Sequence, residues 1–244
     1  MIARLYASGC TLKQHYDNSR TNAPAYQYTK NTSGEWVKME NISMEYGIKD
    51  EDWDIIFLQQ SADQSPMIET YTTYEGKDYI TLVKDYVDAT KTNPNARYIC
   101  NMTWAFQQDC VRNSFAERCN NDQMTMYNMI LDCVKERVVP REDFAAIIPT
   151  GTAVQNARTS YFGDTLTKDG LHLNNLGRVI GAYTLWATVT GKPLTSVDVG
   201  PVSSYDLPEQ LELTETDRQV ILEAVNNALA NPWEVTPSVY TTAD

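Results

Sequence analysis

Histidine is scarce in this chain, and basic residues are in deficit. Only two histidines, His15 and His172, occur among the 244 residues. A metal site built from several histidines is therefore excluded, and a histidine that acts as a general base must be one of these two. Lys and Arg number 20 against 32 Asp and Glu, which gives a net charge of −12. Since phosphate binding depends on Lys and Arg, nucleic acid or an anionic membrane is disfavoured as the main partner.

Cysteine pairs and long apolar runs are also lacking. The five cysteines include no CxxC pair, which argues against a zinc ribbon or a dense disulfide scaffold. One bridge between Cys110 and Cys119 is one reading, and buried free thiols are the reading we favour. No apolar run reaches the roughly 18 residues of a membrane span, so we expect no membrane insertion.

Hydrophobic residues make up 42% of the chain, which is enough for a sizeable core. Short apolar runs of strand length alternate with stretches of helical periodicity. The pattern predicts a hairpin over residues 24–40 and a short helix over 43–49 that Ser43 caps. The predicted strands are 2–7, 53–58, 97–104 and 144–149. The predicted later helices contain Tyr79–Val87 and Tyr127–Val134, and then cover 175–189 and 207–231.

This order of elements is typical of βαβ units with a parallel sheet. We therefore expect an α/β fold of three layers, α/β/α, in a single domain over residues 1–231. The segment 232–244 is expected to be a loosely ordered tail. In parallel sheets ligands bind beyond the carboxyl ends of the strands. Polar residues that follow the predicted strands are Ser8-Gly9, Gln59–Ser61, Thr103–Gln108 and the loop 150–172.

The sharpest local motif is Asp169-Gly170-Leu171-His172, directly before a predicted helix. A carboxylate three residues before a histidine can turn back and accept a hydrogen bond from Nδ1–H, which leaves Nε2 free as a general base. The alternative is a loop aspartate beside a histidine that caps the helix. The rarity of histidine in this chain favours the catalytic interpretation.

Two weaker signals follow predicted strands. The amide of Gln60 is placed to donate a hydrogen bond to an oxyanion, although a glutamine at a strand end can instead cap backbone groups. Gly9 permits a tight turn whose N–H can point into a cleft, although any turn that ends a strand would look the same.

Several segments in chain order resemble the SGNH hydrolase superfamily, a flavodoxin-like esterase fold. They are closest to a bacterial branch of it that is catalogued as a domain of unknown function. The resemblance covers about residues 3–191. The matching segments are Gly9–His15, Asp52–Gln60, Met102–Ala105, Pro149–Ala153 and Asp169–His172.

The resemblance implies hydrolysis of an acyl ester by a Ser-His-Asp arrangement, often on acetylated carbohydrates, without a cofactor. By motif, His172 would be the general base and Asp169 would orient it. The N–H of Gly9 and the amide of Gln60 would form the oxyanion hole, with Gln59 as the alternative to Gln60. The implied partner is a small-molecule or glycan ester, and the oligomeric state is left open.

The nucleophile that this family uses is a serine in a Gly-(Asp/Asn)-Ser block after the first strand. Only eight residues precede Gly9, and Asp17-Asn18-Ser19 lies on the wrong side of that glycine. We therefore expect the first strand and its serine to lie upstream of Met1. If a signal peptide also lies there, the protein would be extracytoplasmic.

Two other functions compete with the esterase. A catalytically inactive protein could bind a glycan through its aromatic residues, namely Tyr26, Tyr28, Trp36, Trp104 and Phe106. A metal-dependent hydrolase could use Asp164, Asp169 and His172. His15 and Trp104 are further candidates for substrate contact, and a structural histidine is the alternative for His15.

Overall fold

The structure is a computed structural model that describes residues 1–195, 199 and 211–242. It contains both helices and strands, which confirms the α/β class. A 3₁₀ helix lies at Ile68–Tyr71. The strands are β1 (Ile2–Tyr6), β2 (Tyr26–Thr32), β3 (Glu35–Ile42), β4 (Ile55–Leu58), β5 (Arg97–Asn101) and β6 (Phe144–Ile148). The helices are α1 (Leu12–Thr21), α2 (Met44–Lys49), α3 (Tyr79–Thr90), α4 (Asn113–Cys119), α5 (Gln123–Arg137), α6 (Thr150–Arg158), α7 (Asn175–Thr190) and α8 (Glu215–Ala230).

The strands form two sheets. One is the expected parallel sheet, in the order β4-β5-β6, with Ile55 opposite Arg97 and Leu58 opposite Cys100. The other is antiparallel, in the order β1-β2-β3. β1 therefore belongs to the antiparallel sheet, because its backbone groups pair with β2 of the predicted hairpin. The turn at Ser8-Gly9 accordingly does not end a strand of the parallel sheet.

By the contacts between its residues, the chain divides into two compact units. Unit 1 contains residues 1–100 and 137–145, and unit 2 contains residues 101–136 and 146–244. The boundaries fall near the end of β5, near the end of α5 and inside β6.

Unit 1 has a core between the antiparallel sheet and three helices. Tyr26 from β2 and Ile48 from α2 are buried together with Val83 and Val87 from α3. Helices α2 and α3 each begin at a residue whose polar side chain caps the helix. Ser43 accepts a hydrogen bond from the Tyr46 N–H at α2, and Asp78 accepts from the Ile80 and Thr81 N–H groups at α3.

Unit 2 has its core between α6, α7 and α8. Val154, Ile180 and Ile221 are among its fully buried members, one from each helix. α8 begins at Glu215 rather than at residue 207, because Thr214 and Asp217 form a capping box there. The predicted helical positions 207–210 lie outside the described residues.

The described part of the segment after α8 contains no helix or strand and forms hydrogen bonds with unit 2. The N–H of Thr236 donates to Asn156 Oδ1 at 2.7 Å, and the N–H of Ser238 donates to Thr159 Oγ1 at 2.8 Å. The Tyr161 N–H donates to the Tyr240 carbonyl at 2.9 Å. Through residue 240 this segment is therefore bound to α6 and to the residues just after it.

Candidate functional site

Asp169 and His172 form a closed hydrogen-bonded turn in unit 2. Asp169 Oδ2 lies 2.6 Å from His172 Nδ1, and Oδ1 accepts from the backbone N–H of His172 at 2.7 Å. Oδ1 also accepts from the N–H of Leu171 at 3.1 Å. The carboxylate therefore binds both the backbone and the ring of the residue three positions later, as the motif predicts.

The same contacts explain the acidity of Asp169. Partial burial disfavours its charged form, but the N–H and ring of His172 and the N–H of Leu171 outweigh this, and the pKa falls to about 2. The carboxylate is thus ionised at neutral pH and favours Nδ1 as the protonated ring nitrogen of a neutral His172.

The other ring nitrogen of His172, Nε2, forms no hydrogen bond with any residue that the structure describes. The side chain of His172 is 52% exposed and that of Asp169 is 47% exposed. An oriented imidazole with an open Nε2 can accept a proton from a group brought next to it.

Segment 104–110, which follows β5, holds this turn in place. Trp104 Nε1 donates to the carbonyl of Leu171 at 2.8 Å, and the N–H of Gln107 donates to the carbonyl of Gly170 at 2.8 Å. Thr167 Oγ1 donates to Gln107 Oε1 at 2.5 Å. Trp104, a predicted substrate contact, therefore binds the turn directly, whereas sequence reasoning missed Gln107 and Thr167.

Gly170 is required by the shape of the turn. Its φ of +80° lies in the left-handed region, and a Cβ there would lie 3.1 Å from Cys110 Sγ. Glycine thus permits both the backbone conformation and the close packing against Cys110.

Gln60 occupies a different setting, inside unit 1. It is 4% exposed, and its Oε1 accepts from the N–H groups of Leu12 and Ser61, both at 3.0 Å. Its Nε2 donates to the carbonyl and the hydroxyl of Thr70 at 3.3 and 3.2 Å. Both ends of the amide are thus engaged in joining α1 to the segment that follows β4, as in the backbone-capping alternative.

The other predicted residues of unit 1 are more dispersed. Gly9 lies in a tight turn with φ +63°, closed by the Cys10 N–H on the Ala7 carbonyl at 3.2 Å. Gln59 is exposed. His15 Nδ1 lies 2.9 Å from the Tyr26 hydroxyl, and burial lowers the pKa of His15 to about 4. These contacts favour the structural interpretation of His15.

The structure thus brings together Trp104, Asp169 and His172 in unit 2. Gly9, His15, Gln59 and Gln60 belong to unit 1.

Asp164 does not join the Asp169–His172 pair. Its Oδ1 lies 2.8 Å from Arg158 Nε, and its Oδ2 accepts from the N–H of Gln108 at 2.7 Å. Within the described part of the chain, no group of three or more His, Cys, Asp or Glu residues could hold a metal ion. The proposed metal site of Asp164, Asp169 and His172 is therefore not assembled.

The aromatic residues suggested for glycan contact are mostly internal. Tyr26, Tyr28 and Phe106 are each 1% exposed and belong to the core, while Trp36 is 39% exposed and Trp104 is half-buried. The structure thus leaves Trp36 and Trp104 as the accessible members of that set.

All five cysteines are free thiols, so Cys110 and Cys119 form no bridge. Burial raises the pKa of Cys10 to about 11 and that of Cys100 to about 12. These two thiols are therefore protonated and unreactive at neutral pH.

None of the helices in the described residues is both long and apolar enough to cross a membrane.

Comparison with known proteins gives one family and one solved structure. Residues 1–206 match the family model of a domain of unknown function, DUF4886. The fold is similar to the crystal structure of a DUF4886 family protein from Bacteroides uniformis ATCC 8492, with a TM-score of 0.85 and 29% sequence identity. That match covers 99% of this chain and 87% of the other. No curated protein shows significant sequence similarity. Since the family model spans most of the chain, the protein belongs to the DUF4886 family.

Proposed function

We propose that the chain is an SGNH-type ester hydrolase with a flavodoxin-like, three-layer α/β/α fold, and that Asp169 and His172 are its acid–base pair. The 2.6 Å contact between Asp169 Oδ2 and His172 Nδ1 carries the proposal. It gives the geometry by which an aspartate orients an imidazole and stabilises the imidazolium that forms during catalysis. The segments that resemble the superfamily add the reaction class, deacylation of an ester.

In this mechanism His172 Nε2 takes the proton of a serine hydroxyl as the serine oxygen attacks the ester carbonyl. The imidazolium then donates that proton to the leaving alcohol, and an acyl-enzyme remains. Water, deprotonated by the same Nε2, attacks the acyl carbon. The bond between that carbon and the serine oxygen breaks, the imidazolium returns its proton to the serine oxygen, and the acid is released. No step consumes a cofactor.

The serine is proposed to belong to a segment outside the 244 residues. Two observations support this: no described serine forms a hydrogen bond to His172 Nε2, and β4 is an edge strand of the described parallel sheet.

The oxyanion hole is proposed to use the N–H of the nucleophile. The Gln60 amide already donates to Thr70, so we assign it to structure rather than to the oxyanion. An acylated carbohydrate is the proposed substrate class.

The test begins with the reading frame upstream of Met1, which should encode an apolar strand that ends in Gly-Asp-Ser or Gly-Asn-Ser. Protein extended by that segment should hydrolyse p-nitrophenyl acetate and release acetate from an acetylated oligosaccharide. H172A and D169N should each lower kcat by about 10³- to 10⁴-fold. Replacement of the other histidine, H15Q, is the matched control and should leave kcat within a few-fold. Undiminished turnover by H172A would disprove the role of the pair.

A catalytically inactive glycan-binding protein is the second candidate, favoured by the open Nε2 of His172 and the accessible Trp36 and Trp104. Calorimetry with a deacetylated oligosaccharide distinguishes the two functions. Binding that W36A or W104F weakens, with no turnover by the extended protein, would favour the binding protein.

A further inference from the structure

An ion pair between a buried arginine at the end of α6 and a partly exposed aspartate lies in unit 2. Arg158 is 8% exposed, and its Nε is 2.8 Å from Asp164 Oδ1. Its Nη1 donates to the carbonyl of Ala105 at 3.1 Å and to Gln155 Oε1 at 3.0 Å. Burial lowers the pKa of Arg158 to about 10 against the opposing effect of Asp164, so the guanidinium is charged at neutral pH.

Folding stability alone does not explain this ion pair. Arg158 Nη2 is buried and has no hydrogen-bond partner among the described residues. Desolvation of a buried guanidinium costs several kcal/mol, and apolar residues of similar volume often replace buried ion pairs without loss of stability. The contacts that the pair makes with the backbone therefore suggest that it serves to place a segment.

The segment that it places is 105–108, which follows β5. Arg158 fixes the Ala105 carbonyl, and Asp164 Oδ2 accepts from the Gln108 N–H at 2.7 Å. Gln123 Nε2 completes the set, since it donates to the Phe106 carbonyl at 2.9 Å and to both oxygens of Asp164 at 3.0 Å. Three backbone positions in four residues are thus held by one charged cluster.

The same segment holds the turn of Asp169 and His172. The Gln107 N–H of this segment donates to the Gly170 carbonyl, and the ring of Trp104, the residue just before the segment, donates to the Leu171 carbonyl, each at 2.8 Å. Gly170 and Leu171 are the two residues between Asp169 and His172. A shift of segment 105–108 would therefore move the carboxylate relative to the imidazole.

We propose that the Arg158–Asp164 ion pair is a positioning element for the Asp169–His172 pair, acting through segment 105–108. Neither residue touches the imidazole, and neither is a catalytic residue. The inference rests on the proposed function for the use of the pair, but its geometry can be measured without any substrate.

The measurement is the tautomer of the His172 ring, by ¹H–¹⁵N correlation of the two imidazoles in the 244-residue chain. H172A assigns the signals, and His15 is an internal reference because it lies in unit 1. In the parent protein the neutral His172 ring should carry its proton on Nδ1, facing Asp169.

R158M and D164N should each shift the neutral His172 ring towards the Nε2–H form, while the His15 signals stay unchanged. The control is R141M, which breaks the ion pair of a more exposed arginine with Asp78 and Asp143 in unit 1 and should leave the His172 tautomer unchanged. In the extended, active protein R158M should lower kcat by about 10- to 100-fold with KM little altered.

Folded R158M and D164N proteins that both keep the Nδ1–H tautomer would overturn the inference. If R158M does not fold, D164N decides, because asparagine preserves the shape of the side chain. Absence of esterase activity would contradict the proposed function alone, because the tautomer is read without turnover.

Discussion

The two histidines of this chain lie in different environments. His15 stacks on Tyr26 with ring centroids 5.6 Å apart and planes 3° from parallel, and burial lowers its pKa to about 4. His172 is exposed and bound to an aspartate whose pKa is about 2. A ring without a nearby charge supports the packing of unit 1, whereas a ring with a fixed anion can stabilise a transferred proton.

The low pKa of His15 gives a pH dependence of stability. The unfolded chain binds a proton near pH 6.5 and the folded chain only near pH 4, so this contribution is present above pH 6.5 and is lost as the pH falls to 4. H15Q should reduce the loss in the free energy of unfolding between pH 7 and 4.5 by roughly 2 kcal/mol. Urea unfolding at both pH values measures it. H172Q is the matched control, and an H15Q profile equal to that of the parent would contradict the assignment.

The buried amide of Gln60 gives a second prediction at this scale. Q60L leaves the N–H groups of Leu12 and Ser61 without their acceptor, so the free energy of unfolding should fall by about 2–4 kcal/mol. Q59A, at the exposed neighbour, should change it by less than about 0.5 kcal/mol. Chemical denaturation of both variants checks this. A fully stable Q60L protein would contradict this structural role of Gln60.

At the scale of elements, α6 depends on a close approach that only glycine permits. The Gly151 N–H donates to the Met102 carbonyl at 3.1 Å, and a Cβ on Gly151 would lie 2.1 Å from the Thr103 carbonyl oxygen. The start of α6 therefore lies directly against the backbone that follows β5. This contact sets the distance between α6, which carries Arg158, and the segment that Arg158 binds.

G151A should lower the free energy of unfolding by about 3 kcal/mol or prevent folding, because the clash is with backbone rather than with a flexible side chain. The matched control is G181A in α7, where the nearest atom to a new Cβ is Thr150 Cγ2 at 3.5 Å. That variant should be neutral or more stable by up to about 1 kcal/mol. Thermal unfolding of the two proteins tests the pair, and equal effects would contradict the contact.

The sequence predicted most elements, and it failed where the local pattern is weak. Apolar runs and helical stripes located β4, β5, β6, α3, α5 and α7 to within a few residues. α1 was missed because its face is largely polar, although Thr11 and Gln14 form a capping box that marks its start. α6 was interpreted as loop because small and polar residues obscure its periodicity.

For the candidate site too, the sequence predicted the contact that is local in the chain and missed the contacts between distant residues. The Asp169–His172 contact spans three residues, so a local motif predicts it. The Trp104 contact with Leu171 joins residues 67 apart, and the Asp164 contact with Gln108 joins residues 56 apart. Such contacts depend on how β5, α5 and α6 pack, which no short pattern encodes. Pairing of β1 with the hairpin was missed for the same reason.

At the scale of the whole molecule, the last described residues are a structural part of unit 2. Thr236, Ser238 and Tyr240 bond to α6 and to the residues just after it, and Ser238 and Val239 also bind Glu223 of α8. The chain thus closes unit 2 with backbone hydrogen bonds rather than with regular secondary structure.

Removal of residues 232–244 should therefore lower the free energy of unfolding by roughly 2–4 kcal/mol, since several hydrogen bonds of about 1 kcal/mol each are lost. Removal of residues 241–244 alone keeps these bonds and should change stability by less than about 0.5 kcal/mol. Denaturant midpoints of the two truncated proteins test this. Equal midpoints for the longer truncation and the parent would show that the tail contributes nothing.

None of the five cysteines is in a disulfide, so the reaction of their thiols can be used to measure local opening of the structure. Cys10 and Cys100 lie in unit 1, and Cys110, Cys119 and Cys133 lie in unit 2. Cys10 is half-buried and the other four are buried. A buried thiol reacts with a disulfide reagent only when the structure around it opens, so the labelling rates of these four report the frequency of local opening. Mass spectrometry of timed reactions, peptide by peptide, would therefore rank the two units by their opening kinetics without any engineered probe.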